Sequence, residues 1–270
     1  MARSRANPSA FRERFQPVTG GARRSAVQRG QRARNRLVFL RQRIARGSAR
    51  IRRQFYPGDR RGNAVGKNDA LLTLQQAAAE HGVDFLVDDD IVFVGHGNGS
   101  SSFKIDQIPH PKRIDWAPVH DIPVALITGT NGKSTSVRLL DAIARVAQQV
   151  SGITSTDFVR VGDEILDQGD YSGPGGARLL LRDPRLEVAF LEVARGGIPR
   201  RGLAVQRARA ALVTKGASEP LGQYGVNTRA ARAATKFAVG KGLAADGVLV
   251  LNADDAGIVE HLADKALPTL

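Results

Sequence analysis

Four short apolar runs recur along the chain after residue 120: IPVALIT (122–128), VAFLEV (188–193), AALVT (210–214) and GVLVL (247–251). Each is continuous rather than alternating, which is the pattern of a strand buried on both faces. Helical stretches lie between some of them. Val137, Leu140, Ile143 and Ala147 recur at a spacing that stripes one face of a first helix, and 228–245 supplies a later one. Buried strands alternating with helices predict an α/β fold, a mostly parallel sheet with helices on both faces and right-handed crossovers.

Upstream the pattern changes. NDALLTLQQAAAEHG reads as a helix stopped at Gly82, and VDFLVDDDIVFVG as two short strands around an acidic turn at Asp88–Asp90. No oxygen-rich loop of calcium-binding spacing follows the aspartates, so they read as a plain turn. HGNGSSS reads as a flexible loop, and IPHPKRIDWAPVHDIP, with its four prolines, as a connector. Before residue 63 only 36–55 offers a short basic amphipathic helix, through Leu37, Leu40, Ile44 and Ile51. The expected organisation is a basic arm over 1–62, a small α+β segment with linker over 63–120, and an α/β domain over 121–270.

Charge sharpens this division. The formal net charge of +14 is not spread evenly: residues 1–62 hold 18 arginines and no lysine against Glu13 and Asp59, leaving 22 basic and 24 acidic residues for the rest. The arm has too few aliphatic residues to offset its ordering entropy and is expected to be disordered. Three readings of it stand: a phosphate-neutralising segment for nucleic acid or anionic lipid, an arginine-rich, acid-poor organelle leader, or an uninformative extension from a mis-assigned start. The near-neutral body and its few aromatics argue against nucleic acid as the main partner. The absence of cysteine excludes disulfides and thiolate metal sites and fits a reducing, cytoplasmic setting. No apolar run reaches membrane-spanning length. His81, His96, His110, His120 and His261 lie in no spaced metal motif and read as surface or hydrogen-bonded histidines.

The chemistry gathers where the strands end. In such a sheet ligands bind outside the carboxyl ends of the strands. The first run delivers Thr128 and GTNGKST, the second Glu192, the third Thr214 and Lys215, and the fourth Asn252, Asp254 and Asp255. Across Thr128, Gly129, Thr130, Asn131, Gly132, Lys133, Ser134 and Thr135, glycines permit a tight turn with inward N–H groups, and the following helix adds its positive dipole end. Lys133 suits β- and γ-phosphate oxygens, and Ser134 a Mg²⁺ ion. The longer G-x-x-x-x-G-K-[ST] pattern fails, because Ile127 occupies its first glycine position.

The shorter form T-G-T-N-G-K-[ST]-T resembles the Mur ligase family. SGPGGARLLLRDPRLEVAFLEVARGGIPRRGLA (172–204), ALVT (211–214), LGQYGVNT (221–228) and GVLVLNADD (247–255) extend the resemblance, most closely to the Mur-ligase-like half of cyanophycin synthetases and related stand-alone ligases. The likeness covers about 121–257, and more weakly back to about 68. It implies a P-loop central domain of the Mur ligase type that uses ATP and Mg²⁺. Such a domain joins a carboxylate to an amine through an acyl phosphate, with small-molecule or peptide substrates. By resemblance Lys133 grips the phosphates, Ser134 binds one Mg²⁺ and Glu192 helps bind a second. Lys236 matches a family lysine that is often carbamylated, and Asn252 and Asp255 match a motif contacting the adenine end.

The chain departs from the family pattern in TKGASEPLG. There Lys215 replaces an asparagine, Glu219 an aspartate, and Pro220 a histidine of the second metal site. The family's carboxy-terminal domain, which closes over ATP, has no counterpart before Leu270. The expectation is therefore a ligase impaired as it stands, completed by a separate carboxy-terminal domain. Its alternatives are a non-catalytic nucleotide-binding remnant or subunit, or a nucleic-acid-binding protein using its arm.

Overall fold

The computed structural model describes residues 37–41, 68–88, 90–194, 202–215 and 237–263, with the backbone alone for 37–41 and 260–263. The expectations for most of the arm and for 228–236 lie outside the described residues. Where 36–55 is described, the structure corrects the reading: Leu37–Arg41 is a strand (β1), not a helix, and pairs antiparallel along a sheet edge.

An eight-stranded sheet organises the molecule. Its centre consists of five parallel strands: β5 (Val124–Thr128), β6 (Ser151–Thr154), β9 (Val188–Glu192), β10 (Ala208–Val213) and β11 (Leu243–Asn252). The antiparallel pair β7 (Phe158–Val161) and β8 (Glu164–Gln168) extends one side, so the full order is β1-β11-β10-β5-β9-β6-β7-β8. The mostly parallel α/β expectation holds. β11 corrects one boundary, since 243–245 belong to its strand and 238–242 to a tight 3-10 turn, where a helix was expected.

Two-faced burial explains the continuous apolar runs. Along β5, Val124 and Leu126 enter one core while Ala125 and Ile127 face the other. Along β9, Ala189 and Leu191 share the first core, and Val188 and Phe190 the second. The second core is covered by α2 (Lys133–Val146) and the first by α3 (Pro174–Leu181), whose Leu180 and Leu181 are fully buried.

The covered face of α2 differs from the expected stripe. Val137, Asp141 and Ala144 are its buried positions, with Leu140 packed at their margin, while Ile143 is 58% exposed and Ala147 is also exposed. A charged residue occupies the core-facing row because the core supplies its partners. The Asp141 carboxylate accepts a hydrogen bond from the buried Ser151 hydroxyl at 2.7 Å and pairs with the Arg160 guanidinium of β7. Apolar periodicity alone cannot register such a row.

Ahead of this sheet, α1 (Asp69–Glu80) begins at Asn68, whose Oδ1 accepts from the amides of Ala70 and Leu71, and Gly82 follows it in the left-handed region. Its buried Leu71, Leu74 and Ala78 pack on a three-stranded antiparallel sheet of β2 (Phe85–Asp88), β3 (Ile91–Val94) and β4 (Ser101–Lys104). Val92 and Val94 face α1, whereas Leu86 and Phe93 join the core of the large sheet. The HGNGSSS stretch is not a flexible loop. It is a buried 3-10 turn leading into β4, with the amide of Asn98 donating to the Leu186 carbonyl at 2.9 Å. A Cβ on Gly97 would meet that same carbonyl at 2.3 Å, so close backbone approach requires the glycine. Among the described residues no helix is long and apolar enough to cross a membrane.

Removing one partner from a buried ion pair leaves the other charge uncompensated. Asp141→Ala is expected to destabilise the fold by about 3 kcal/mol, read as a lower urea midpoint with an unchanged denaturant slope.

Candidate nucleotide-binding site

Parallel register sets the rim. Thr128 stands level with Val213, Val213 with Leu251, and Ile127 with Glu192. The carboxyl ends of β9, β5, β10 and β11 therefore finish along one edge. The residues that follow them are those picked out in the sequence.

The turn after β5 is held from both sides. The Thr128 hydroxyl donates to the Val193 carbonyl beyond β9 at 2.9 Å, and Thr128 itself is buried. From the β10 side, the Thr214 hydroxyl donates to the Asn131 carbonyl at 2.6 Å, and its amide to the Thr128 carbonyl at 3.0 Å. The amide of Thr130 donates to the Lys215 carbonyl at 2.9 Å. Thr128 and Thr214 thus shape the turn, and the Thr128 hydroxyl is committed to structure. Gly129 has φ +142°, and a Cβ there would lie 2.1 Å from the Thr214 Oγ1. Gly132 caps α2 in the left-handed conformation, and Asn131, Gly132 and Thr135 stay exposed. The first N–H groups of a helix have no partner within it, so the start of α2 offers donors and a positive dipole end to an anion.

Glu192 closes the site from the adjacent strand. Its backbone amide donates to the Thr154 hydroxyl of β6 at 3.1 Å, which fixes where β9 ends. Its side chain has no solvent exposure. Oε2 accepts from the Ser134 hydroxyl at 2.8 Å, while the Lys133 ammonium lies 3.7 Å from Oε1. Oε1 is buried with no hydrogen-bond partner. A buried carboxylate oxygen with free lone pairs, beside a hydroxyl and an ammonium, has the chemistry of a cation and phosphate site. Hard oxygen donors suit magnesium. Ser134 and Glu192 fit that ion.

The structure thus brings Lys133, Ser134 and Glu192 into contact around one turn. Asn252 and Asp255 reach the same edge but are engaged locally. Asn252 Oδ1 accepts from the Asp254 amide at 3.0 Å. Asp255, 5% exposed, accepts from the amides of Gly257 and Ile258 and caps α4 (Ala256–Ala263). Strand β10 separates them from β5, a distance of roughly 10 Å at ordinary strand spacing. Lys236, Arg195, Glu219 and Pro220 lie outside the described residues. The residue missed in the sequence is Thr154. It ends the short run SGIT, and only its pairing beside β9 shows that it positions Glu192.

A parallel α/β sheet with a glycine turn, a lysine and a hydroxyl at a helix start, and a buried acid on the next strand, defines a phosphate-binding-loop domain. More particularly, the chain belongs to the Mur ligase family, matching the Mur ligase middle domain over residues 127–269. It is 44% identical over 146 residues to a cyanophycin synthetase of Geminocystis herdmanii, covering 54% of this chain and 16% of that protein. A cyanophycin synthetase of Crocosphaera subtropica is 46% identical over 147 residues, covering 53% and 17%. The chain therefore spans about a sixth of the length of these relatives. Among solved structures, a UDP-N-acetylmuramoyl-L-alanyl-D-glutamate–2,6-diaminopimelate ligase aligns with TM-score 0.44 at 19% identity, covering 55% of this chain and 30% of that one.

The loop geometry is open to a direct check. Gly129→Ala is expected to destabilise the protein by about 2–3 kcal/mol, from backbone strain plus collision with Thr214. Gly162, also at positive φ but with open space around its Cβ position, supplies the control. There alanine should cost only about 1 kcal/mol. Equal losses in urea denaturation would remove the collision from the account.

Proposed function

We propose that this chain is the ATP-binding part of an ATP-dependent carboxylate–amine ligase that works through an acyl phosphate. The observation that carries the reading is the buried Glu192 carboxylate, shared between the Ser134 hydroxyl and the Lys133 ammonium at the turn after β5. That arrangement supports binding of a triphosphate rather than a neutral ligand, because each group it presents is matched to an anion or to the cation that accompanies it.

In this reading the glycine turn and the start of α2 receive phosphate oxygens through backbone N–H groups. Lys133 turns from Glu192 toward the β- and γ-phosphates and neutralises their charge. Ser134 and Glu192 would hold Mg²⁺, which would supply charge stabilisation of the transferring phosphoryl group when bound. A substrate carboxylate oxygen attacks the γ-phosphorus while the bond to the β-phosphate oxygen breaks, giving ADP and an acyl phosphate. An amine nitrogen then adds to the acyl carbon, loses a proton and expels phosphate, leaving an amide. Catalysis of this kind is mainly positioning and charge neutralisation. A cleft lined by Ser172, Gly173, Pro174, Leu191, Glu192 and Leu203 opens beside Glu192 at the start of α3 and is the proposed entry for the carboxylate.

The remaining assignments belong to the same proposal. Thr128, Gly129, Thr130, Asn131, Gly132 and Thr135 form the phosphate loop, and Asn252 and Asp255 stand at the base end of the nucleotide. Lys236 joins Lys133 and Glu192 as a catalytic group. Lys215 and Pro220, in place of an asparagine and a histidine, weaken a second metal position.

Titration calorimetry with Mg·ATP tests the first half. Lys133→Ala should weaken binding by about 10- to 100-fold, the worth of a charge-assisted contact of about 1.5–3 kcal/mol. Glu192→Gln should flatten the dependence on magnesium. Equal heats from the wild-type chain and Lys133→Ala would refute the proposal.

A further inference from the structure

Three chain segments meet at a second cluster of chemistry-bearing side chains, away from the phosphate-binding rim. Asp84 precedes β2, His96 follows β3, and Asp121 lies in the lead-in to β5. His96 is 2% exposed and Asp84 8%. His96 Nε2 lies 3.4 Å from Asp84 Oδ2, and Nδ1 lies 3.7 Å from Asp121 Oδ1. Neither ring nitrogen makes a hydrogen bond, although both are fully enclosed. One donor atom from each residue can be chosen so that all three lie within 4.8 Å of one another.

We infer that Asp84, His96 and Asp121 form a binding site for one divalent transition-metal ion, with zinc the best match. Buried polar side chains are ordinarily hydrogen-bonded, so an enclosed imidazole with both nitrogens unbonded calls for a ligand. An imidazolium clasped by two carboxylates would show N–H···O separations of about 2.7–2.9 Å. The separations here are longer. One ring nitrogen alone can face the ion. Nε2, 3.4 Å from Asp84 Oδ2, stands near the roughly 3.3 Å between two donors that are each about 2.0–2.1 Å from a tetrahedral ion. Nδ1, on the Asp121 side, then carries the ring proton. One imidazole with two carboxylates is a donor set zinc takes, whereas magnesium and calcium prefer oxygen alone.

The surroundings fit the assignment. The amide of Gln206 donates to Asp84 Oδ2 at 3.2 Å, and the amide of Asp84 donates to both Asp121 oxygens, at 3.0 and 3.1 Å. Bonds of this kind orient metal-binding side chains. Burial pushes the Asp84 carboxyl above its ordinary pKa, with the Asp121 charge adding to that effect and the His96 and Arg207 charges and the Gln206 amide opposing it. Two carboxylates held together out of water need a cation. Arg207, its Nε 4.0 Å from Asp84 Oδ1, is more than a third exposed and approaches from the side.

The ion would tie the start of β2, the turn after β3 and the lead-in to β5 into one joint. It lies at the amino end of β5, the end away from the phosphate-binding turn, so its role is structural.

X-ray absorption on the full chain, stripped with chelator and loaded with one equivalent of zinc, tests this without any variant. One imidazole among oxygen donors is the expected set. One zinc per chain should survive gel filtration and raise the melting temperature. His96→Gln and Asp121→Asn should each weaken zinc binding by about 100-fold, while Glu192→Gln at the rim leaves it unchanged. The inference is overturned if the folded wild-type chain retains no zinc, or if the absorption shows no imidazole or more than one. It is also overturned if Glu192→Gln loses the ion and His96→Gln keeps it. A doubly protonated His96 indifferent to zinc in nitrogen NMR would make the cluster an ion-pair clasp, and equally overturn it.

Discussion

A carboxylate removed from water must find positive charge or hydrogen-bond donors, and the Glu192 side chain is the point at which this molecule meets that demand. Its position follows from the sheet. β9 carries Glu192 level with Ile127, one residue before Thr128, and the Thr154 hydroxyl holds its backbone from the far side. The turn after β5 then supplies the Ser134 hydroxyl and the Lys133 ammonium. Glu192 thereby fixes the direction in which the loop's donors face. An apolar side chain at this position would leave the lysine without its anchor and the hydroxyl without its acceptor.

Two neighbouring strands share the work of shaping the loop. The Thr128 hydroxyl reaches across to β9 and the Thr214 hydroxyl back from β10, so the loop is braced between the strand ends on either side of its own. Gly129 is required because the Thr214 oxygen occupies the space a side chain would need. A preorganised cradle of this kind stabilises developing charge without rearrangement at the moment of reaction.

Much of this was legible in the sequence, for identifiable reasons. Continuous apolar runs at 122–128, 188–193 and 247–251 announced strands buried on both faces, and the residues after each run gave the rim. The buried face of α2 was misjudged because Asp141, a charged residue, lies on it. Its partners Ser151 and Arg160 sit on β6 and β7, short strands that no apolar run advertised. Residues 37–41 suggested a helix because the apolar spacing of Leu37, Leu40, Ile44 and Ile51 was read alone, whereas pairing with β11 makes them a strand. The turn at His96–Gly99 looked mobile from its glycines. Burial of Gly97 and Gly99 against neighbouring backbone reverses that reading. Asn252 and Asp255 reached the expected edge, but local bonds to Asp254, Gly257 and Ile258 occupy side-chain oxygens that a motif alone would have left for a ligand.

The central claim is that the rim recognises a chain of phosphates through Lys133, Ser134 and Glu192. Competition among ATP, ADP and AMP for the purified chain, in saturating magnesium, measures this most directly. Affinity should fall from ATP to ADP and fall again, to near the limit of detection, for AMP. Equal affinity for AMP and ATP would place recognition in the base and ribose and contradict the account.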